Sequence, residues 1–171
     1  MQAIAVVGSK KSGKTTTIEN LTRELSKRCY KVAVIKHINE VFAIDTPGKD
    51  TWRYHQAGAK TIIATGPNQT VTIEKTATLL AVPLATLLEK CRDSDITLIE
   101  GFKKIVAQNQ TIPKIVVTKN QTEAENTQKT YNPIIAFSGP HNPKNTRIPY
   151  TDATNKAEKL ADIIERALLK K

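Results

Sequence analysis

The run Gly8-Ser9-Lys10-Lys11-Ser12-Gly13-Lys14-Thr15 matches G-x-x-x-x-G-K-[ST], the phosphate-loop pattern. Its residue types follow from the chemistry of holding a polyphosphate. Glycines let the backbone fold back and gather several N–H groups around one phosphate. The free N–H groups and positive end of a following helix add attraction for an anion. The Lys14 ammonium reaches the β- and γ-phosphates, and the Thr15 hydroxyl meets a Mg²⁺ ion shared with the nucleotide. With Ser9, Lys10, Lys11, Ser12 and Thr16, these residues form the expected binding stretch for a purine nucleoside triphosphate, and Lys14 is the first catalytic candidate.

Such a loop calls for an acid at the end of another buried strand. Glu100, after Ile96-Thr97-Leu98-Ile99, stands in that position. There it is expected to hold Mg²⁺ through water or to orient a nucleophile, because ligands of open α/β sheets gather at the carboxyl ends of strands. A second constellation runs from Lys36-His37 through Asp45-Thr46-Pro47-Gly48-Lys49-Asp50 to Arg53. It offers a second surface for an anion or Mg²⁺ beside the end of the second strand, which is expected to neighbour the phosphate loop. Thr118-Lys119-Asn120 and Ser138-Gly139-Pro140 follow predicted strands and are candidates for a base pocket. The guanine-reading Asn-Lys-x-Asp pattern is absent, so spacing alone leaves GTP and ATP both open.

The elements that must position these groups are legible as alternating strands and helices. Ala3–Val7 reads as a strand buried on both faces. Ile18, Leu21 and Leu25 then recur at helical spacing up to about Arg28, and Lys31–Lys36 is a second buried strand. Residues 37–48 read as a loop, and Lys49–Ala57 as a helix stopped by Gly58. Lys60–Thr65 and Thr70–Glu74 flank Gly66-Pro67-Asn68-Gln69 as a hairpin. Leu84, Leu87, Leu88 and Cys91 mark a short helix behind Pro83. Asp95–Ile99, Lys114–Thr118 and Pro133–Phe137 are further strands. The polar stretch Asn120–Thr130 lacks periodicity and reads as loop or frayed helix. A last helix is expected from Thr151 or Asp152, burying Leu160, Ile163, Ile164, Ala167 and Leu168. The pattern predicts a three-layer α/β fold of P-loop NTPase type, with a mostly parallel sheet and a β-hairpin addition. With 171 residues, one domain over 1–171 is expected.

Composition narrows the partners. A net charge of +10 suits nucleic acid, a membrane surface or small polyanions. Aromatics are only 5% and do not interleave with basic residues, which argues against a stacking platform for single strands. Lys10, Lys11, Lys36, Lys49, Lys103 and Lys104 cluster at strand ends and loops, where a phosphate-rich small ligand explains them. No apolar run approaches the ~18 residues of a membrane span, and Ala3–Val7 is too short for a secretory signal. A cytoplasmic protein is expected. Cys29 and Cys91 have no metal-ligand spacing and read as reduced, partly buried thiols.

The phosphate loop, Lys36-His37, Asp45-x-Pro47-Gly48-Lys49-Asp50, Arg53, Ala57-Gly58-Ala59 and Leu98-Ile99-Glu100-Gly101-Phe102-Lys103 occur together and in order. This combination resembles the MobB family, molybdopterin-guanine dinucleotide biosynthesis protein B, over about the first two-thirds of the chain. The resemblance implies a GTP-binding homodimer with at most slow GTP hydrolysis. It implies a role assisting the molybdopterin guanylyltransferase that attaches GMP to molybdopterin, so that molybdopterin or its nucleotide form is a further ligand. By the same motif match, Asp45 and Glu100 join Thr15 near Mg²⁺, and His37, Lys49, Asp50 and Arg53 form a distinctive second block. The family commonly continues Lys-His with further histidines, where this chain has Ile38-Asn39-Glu40. The alternative reading is a P-loop kinase of a small metabolite. It shares the strand–loop–helix start, but a kinase needs an arginine-bearing lid, and after Arg53 only Arg92, Arg147 and Arg166 remain.

Overall fold

A computed structural model of the protein describes residues 1–40, 45–75 and 82–169. Contacts group the chain into two compact units, one of Met1–His37 with Leu84–Lys171 and the other of Ile38–Pro83.

The first unit is built on five parallel strands: β1 (Gln2–Gly8), β2 (Val32–Lys36), β5 (Ile96–Glu100), β6 (Lys114–Val117) and β7 (Ile134–Ser138). The order across the sheet is β2-β5-β1-β6-β7. Successive side chains of a strand point to opposite faces, and here both faces are covered. Ile4 and Val6 of β1 join Leu98 and Val117 in one core, against Ile18, Leu21 and Leu25 of helix α1 (Lys14–Lys27) and Leu160 and Ile164 of α6 (Ala157–Ile164). Ala5 and Val7 join Ile99, Val116 and Phe137 in a second core. It is closed by Leu84 of α3 (Leu84–Lys90), Val106 of α4 (Lys103–Val106) and Ala124 of α5 (Gln121–Thr130). Two cores explain why these strands read as continuous apolar runs rather than alternating ones. The expected three-layer α/β architecture is present.

Four details differ from expectation. The end of β2 does not adjoin the phosphate loop, because β5 pairs with both β1 and β2 and lies between them. Residues 121–130 form a helix despite their polarity. Asn120 caps it, its side chain accepting the Glu123 N–H at 2.9 Å, and small Ala124 and Thr127 supply the buried face. The last helix starts at Ala157 rather than at 151–152. The Thr151 N–H instead donates to the Phe137 carbonyl at 2.9 Å, and Asp152 holds a turn through the Thr154 N–H and the Asn155 amide. The chain beyond Ile164 continues as a π-helical turn, Glu165–Leu169. Cys29 is exposed rather than partly buried, and Cys91 is half-buried.

The second unit holds helix α2 (Asp50–Gln56) and an antiparallel hairpin of β3 (Thr61–Thr65) and β4 (Thr70–Glu74), as the turn residues predicted. The Asp45 Oδ1 accepts from the Thr46 N–H and the Thr51 hydroxyl, both at 2.9 Å, which braces the start of α2.

Candidate nucleotide site

The loop between β1 and α1 takes its shape from two glycines used for different reasons. A Cβ on Gly8 would lie 2.3 Å from the Val117 carbonyl oxygen, so only glycine lets the loop leave β1 against β6. A Cβ on Gly13 would make only ordinary contact, 3.8 Å from Val117 Cγ1, but the residue turns with φ of 100°, a left-handed conformation that side chains resist. That turn aims the start of α1 back into the loop. The first turn of α1 carries no acidic residue, and no side chain caps it. Its N–H groups and positive end therefore remain available to an anion.

Around this end lies a cleft of about 410 Å³ lined by Lys10 to Thr16 and Glu100. The Lys14 ammonium folds back over the loop and donates to the Ser9 carbonyl at 2.5 Å. Burial lowers its pKa, and the nearby Lys103 ammonium lowers it further. The Ser12 Oγ is buried with no hydrogen-bond partner among the described residues. An orphaned donor, an uncapped helix end and a cradle that a Cβ would fill all suit a bound phosphate.

Opposite Thr15 stands Glu100. Its register partners are Val6 of β1 and Lys36 of β2. The Thr15 hydroxyl lies 3.4 and 3.5 Å from the two carboxylate oxygens, and Lys36 Nζ lies 3.5 Å from Oε2. Those are loose contacts. A hydroxyl and a carboxylate facing one gap are hard oxygen donors of the kind Mg²⁺ takes together with waters and phosphate oxygens. The residues fit such an ion, with Thr15 and Glu100 the ones that would hold it.

Of the remaining expected residues, His37 follows β2, donates its N–H to the Glu100 carbonyl at 2.8 Å and packs tilted by 47° against Phe102, with ring centres 4.6 Å apart. Asp45, Lys49, Asp50 and Arg53 belong to the second unit, where Asp50 and Arg53 form an exposed pair at 3.6 Å. The two base-pocket candidates do meet. Thr118 donates its N–H to the Ser138 carbonyl at 3.0 Å and accepts from the His141 N–H at 3.3 Å.

Sequence reasoning missed Glu123. Its carboxylate accepts the Ser9 N–H and the Lys119 N–H, both at 2.9 Å, and so ties the phosphate loop to the start of α5. Burial opposes the charge, but the donors from Lys119 and Ser9 outweigh it and hold the carboxyl below its ordinary pKa. The spacing Asn120-x-x-Glu123 was the available signal, as a helix-start pattern.

A glycine-rich loop on a central parallel strand, opening an uncapped helix beside an acid-tipped strand, defines a P-loop-type α/β protein. The family model for molybdopterin guanine dinucleotide synthesis protein B matches residues 3–139. The chain belongs to that family. It is 38% identical over 124 residues to a putative molybdopterin-guanine dinucleotide biosynthesis adapter protein of Methanocaldococcus jannaschii, covering 71% of this chain and 49% of that one. It is 32% identical over 119 residues to the adapter protein of Haemophilus influenzae, covering 69% and 64%. The match thus spans about half the length of the first relative and under two-thirds of the second. The fold superposes on the crystal structure of Bacillus subtilis MobB with a TM-score of 0.75 at 24% identity, over all of both chains. Among the described residues no helix is long and apolar enough to cross a membrane.

Proposed function

We propose that this chain is a GTP-binding accessory protein of molybdenum cofactor biosynthesis, serving formation of the guanine dinucleotide of molybdopterin. The observation that carries this reading is the uncapped start of α1 behind Gly8–Lys14, with Thr15 facing Glu100, in a member of this family. Relatives named as adapter proteins of that biosynthesis support it. Gly8 to Thr16 cradle the triphosphate, Lys14 neutralises its terminal phosphates, and Thr15 and Glu100 hold Mg²⁺. Mg²⁺ supplies charge neutralisation at the β- and γ-oxygens. On the second unit, Lys49, Asp50 and Arg53 serve as an anion-handling block.

Turnover is slow in this reading. Fast hydrolysis needs a water-orienting group and an arginine at the transferred phosphate, and among the described residues no arginine lines the cleft. The protein acts as a cytoplasmic homodimer beside a molybdopterin guanylyltransferase, with residues 1–171 working as one nucleotide-binding domain.

Titrating GTP and ATP in the presence of Mg²⁺ tests the reading. Preference for GTP is expected; preference for ATP, or binding of neither, overturns it. Lys14→Ala should abolish nucleotide binding. Glu100→Ala should lower Mg²⁺-dependent turnover more than affinity, and unchanged turnover would remove Glu100 from its assigned role.

A further inference from the structure

A second cleft, of about 530 Å³, adjoins the phosphate loop on the side of α5. That volume is in the range of sites for metabolite-sized ligands. Gly8 and Ser9 line it, so the loop that borders the triphosphate cleft also borders this one. Lys103 and Lys119 contribute ammonium groups to it, and Asn126 and Tyr131 contribute an amide and an aromatic ring.

The charge balance says what is missing. The one carboxylate in the lining, Glu123, is engaged by the Ser9 and Lys119 N–H groups. The Lys119 ammonium donates to the Lys10 carbonyl at 3.3 Å, and its charge also favours the ionised Glu123. Lys103 is close enough to Lys14 for its charge to depress the Lys14 pKa. Two lysines against one carboxylate leave the lining with a surplus of positive charge among the described residues, and Tyr131, Thr127 and Thr130 line it beside them.

We propose that this cleft is a second ligand site for a small organic phosphate, its anionic group between Lys103 and Lys119 and its carbon body along α5. The assignment of this ligand as a neighbour of the nucleotide's terminal phosphate rests on the triphosphate reading of the loop. The cleft itself does not. Two sites bordered by one loop, with Gly8 and Ser9 on this side and Lys10 to Thr16 on the other, would let an accessory protein sense a phosphorylated compound and a nucleotide together.

The test is a titration of ¹⁵N-labelled protein, saturated with Mg²⁺ and a non-hydrolysable GTP analogue, with phenyl phosphate as the probe and phenol as its phosphate-free control. Saturable shifts are expected at the amides of Ser9, Thr122, Asn126 and Tyr131 with phenyl phosphate and not with phenol. Lys103→Gln should weaken that binding about tenfold, the loss of roughly one charge-assisted contact. Asn126→Leu, which obstructs the cavity, should weaken it as well. No saturable shift at these amides, shifts confined to Lys10–Thr16, or equal effects of phenol and phenyl phosphate would each overturn the proposal. A GTP titration without probe separates the two readings. If GTP does not bind, the triphosphate reading fails, and phenyl phosphate added to unloaded protein still decides the cleft at the same four amides.

Discussion

At Gly13 the backbone turns with φ of 100° and a Cβ would meet Val117 Cγ1 at an ordinary 3.8 Å, whereas at Gly8 the limit is a clash with the Val117 carbonyl. The two positions should therefore fail differently. Gly13→Ala is expected to cost about 1–2 kcal/mol for a left-handed residue with a side chain, and to weaken nucleotide binding by re-aiming α1. Gly8→Ala must push the loop away from β6, so it should lose more stability and all detectable binding. Thermal unfolding and nucleotide titration of both variants check the order. Glu123 makes a pH prediction. Its folded pKa lies below its unfolded value, so its contribution is fully present above the unfolded pKa of about 4.3 and disappears as pH falls through the folded value. Urea unfolding should therefore show Glu123→Gln less stable than the native chain at pH 7, with the gap closing in strong acid.

At the scale of elements, Arg28 joins the end of α1 to α6 and the π-helical turn. Its guanidinium reaches Glu24 at 2.8 Å, Asp162 at 2.7 Å and Glu165 at 2.8 Å, and donates to the Glu158 carbonyl at 3.0 Å. Removing it leaves three carboxylates facing one another. Since all the partners keep some solvent contact, Arg28→Met should destabilise by about 1–2 kcal/mol, and the difference should shrink with added salt. Chemical denaturation at low and high ionic strength measures both. The helix α5 shows why an element can hide in a sequence. Its inward face is made of Ala124 and Thr127, too small and too polar to register as an apolar stripe. Its capping residues Asn120 and Glu123 were the one local signal and went unread; they also line the second cleft.

For the whole molecule, the net charge of +10 should act on the rate at which a polyanion arrives. Association of Mg²⁺–GTP, followed by stopped flow with a fluorescent analogue, is expected to slow as salt rises, while duplex DNA should not bind even at low salt. The strands, the hairpin and the phosphate loop could all be read from the chain, because each depends on neighbours a few residues apart: apolar runs, turn residues, and glycines framing a lysine. Glu100 was legible for the same reason, as an acid at the end of an apolar run. What lies between β1 and β2 was not, since nothing local in either strand says that β5 will enter between them. That insertion brings Glu100 to face Thr15 and moves the end of β2 one strand away from the loop. Glu123, 114 residues beyond Ser9, was invisible in the same way. Sequence alone determined the phosphate-loop pattern and where it sits between a strand and a helix, through local backbone chemistry. Tertiary structure decided which carboxylates stand beside it, because burying both faces of one sheet sets the strand order that brings distant residues together.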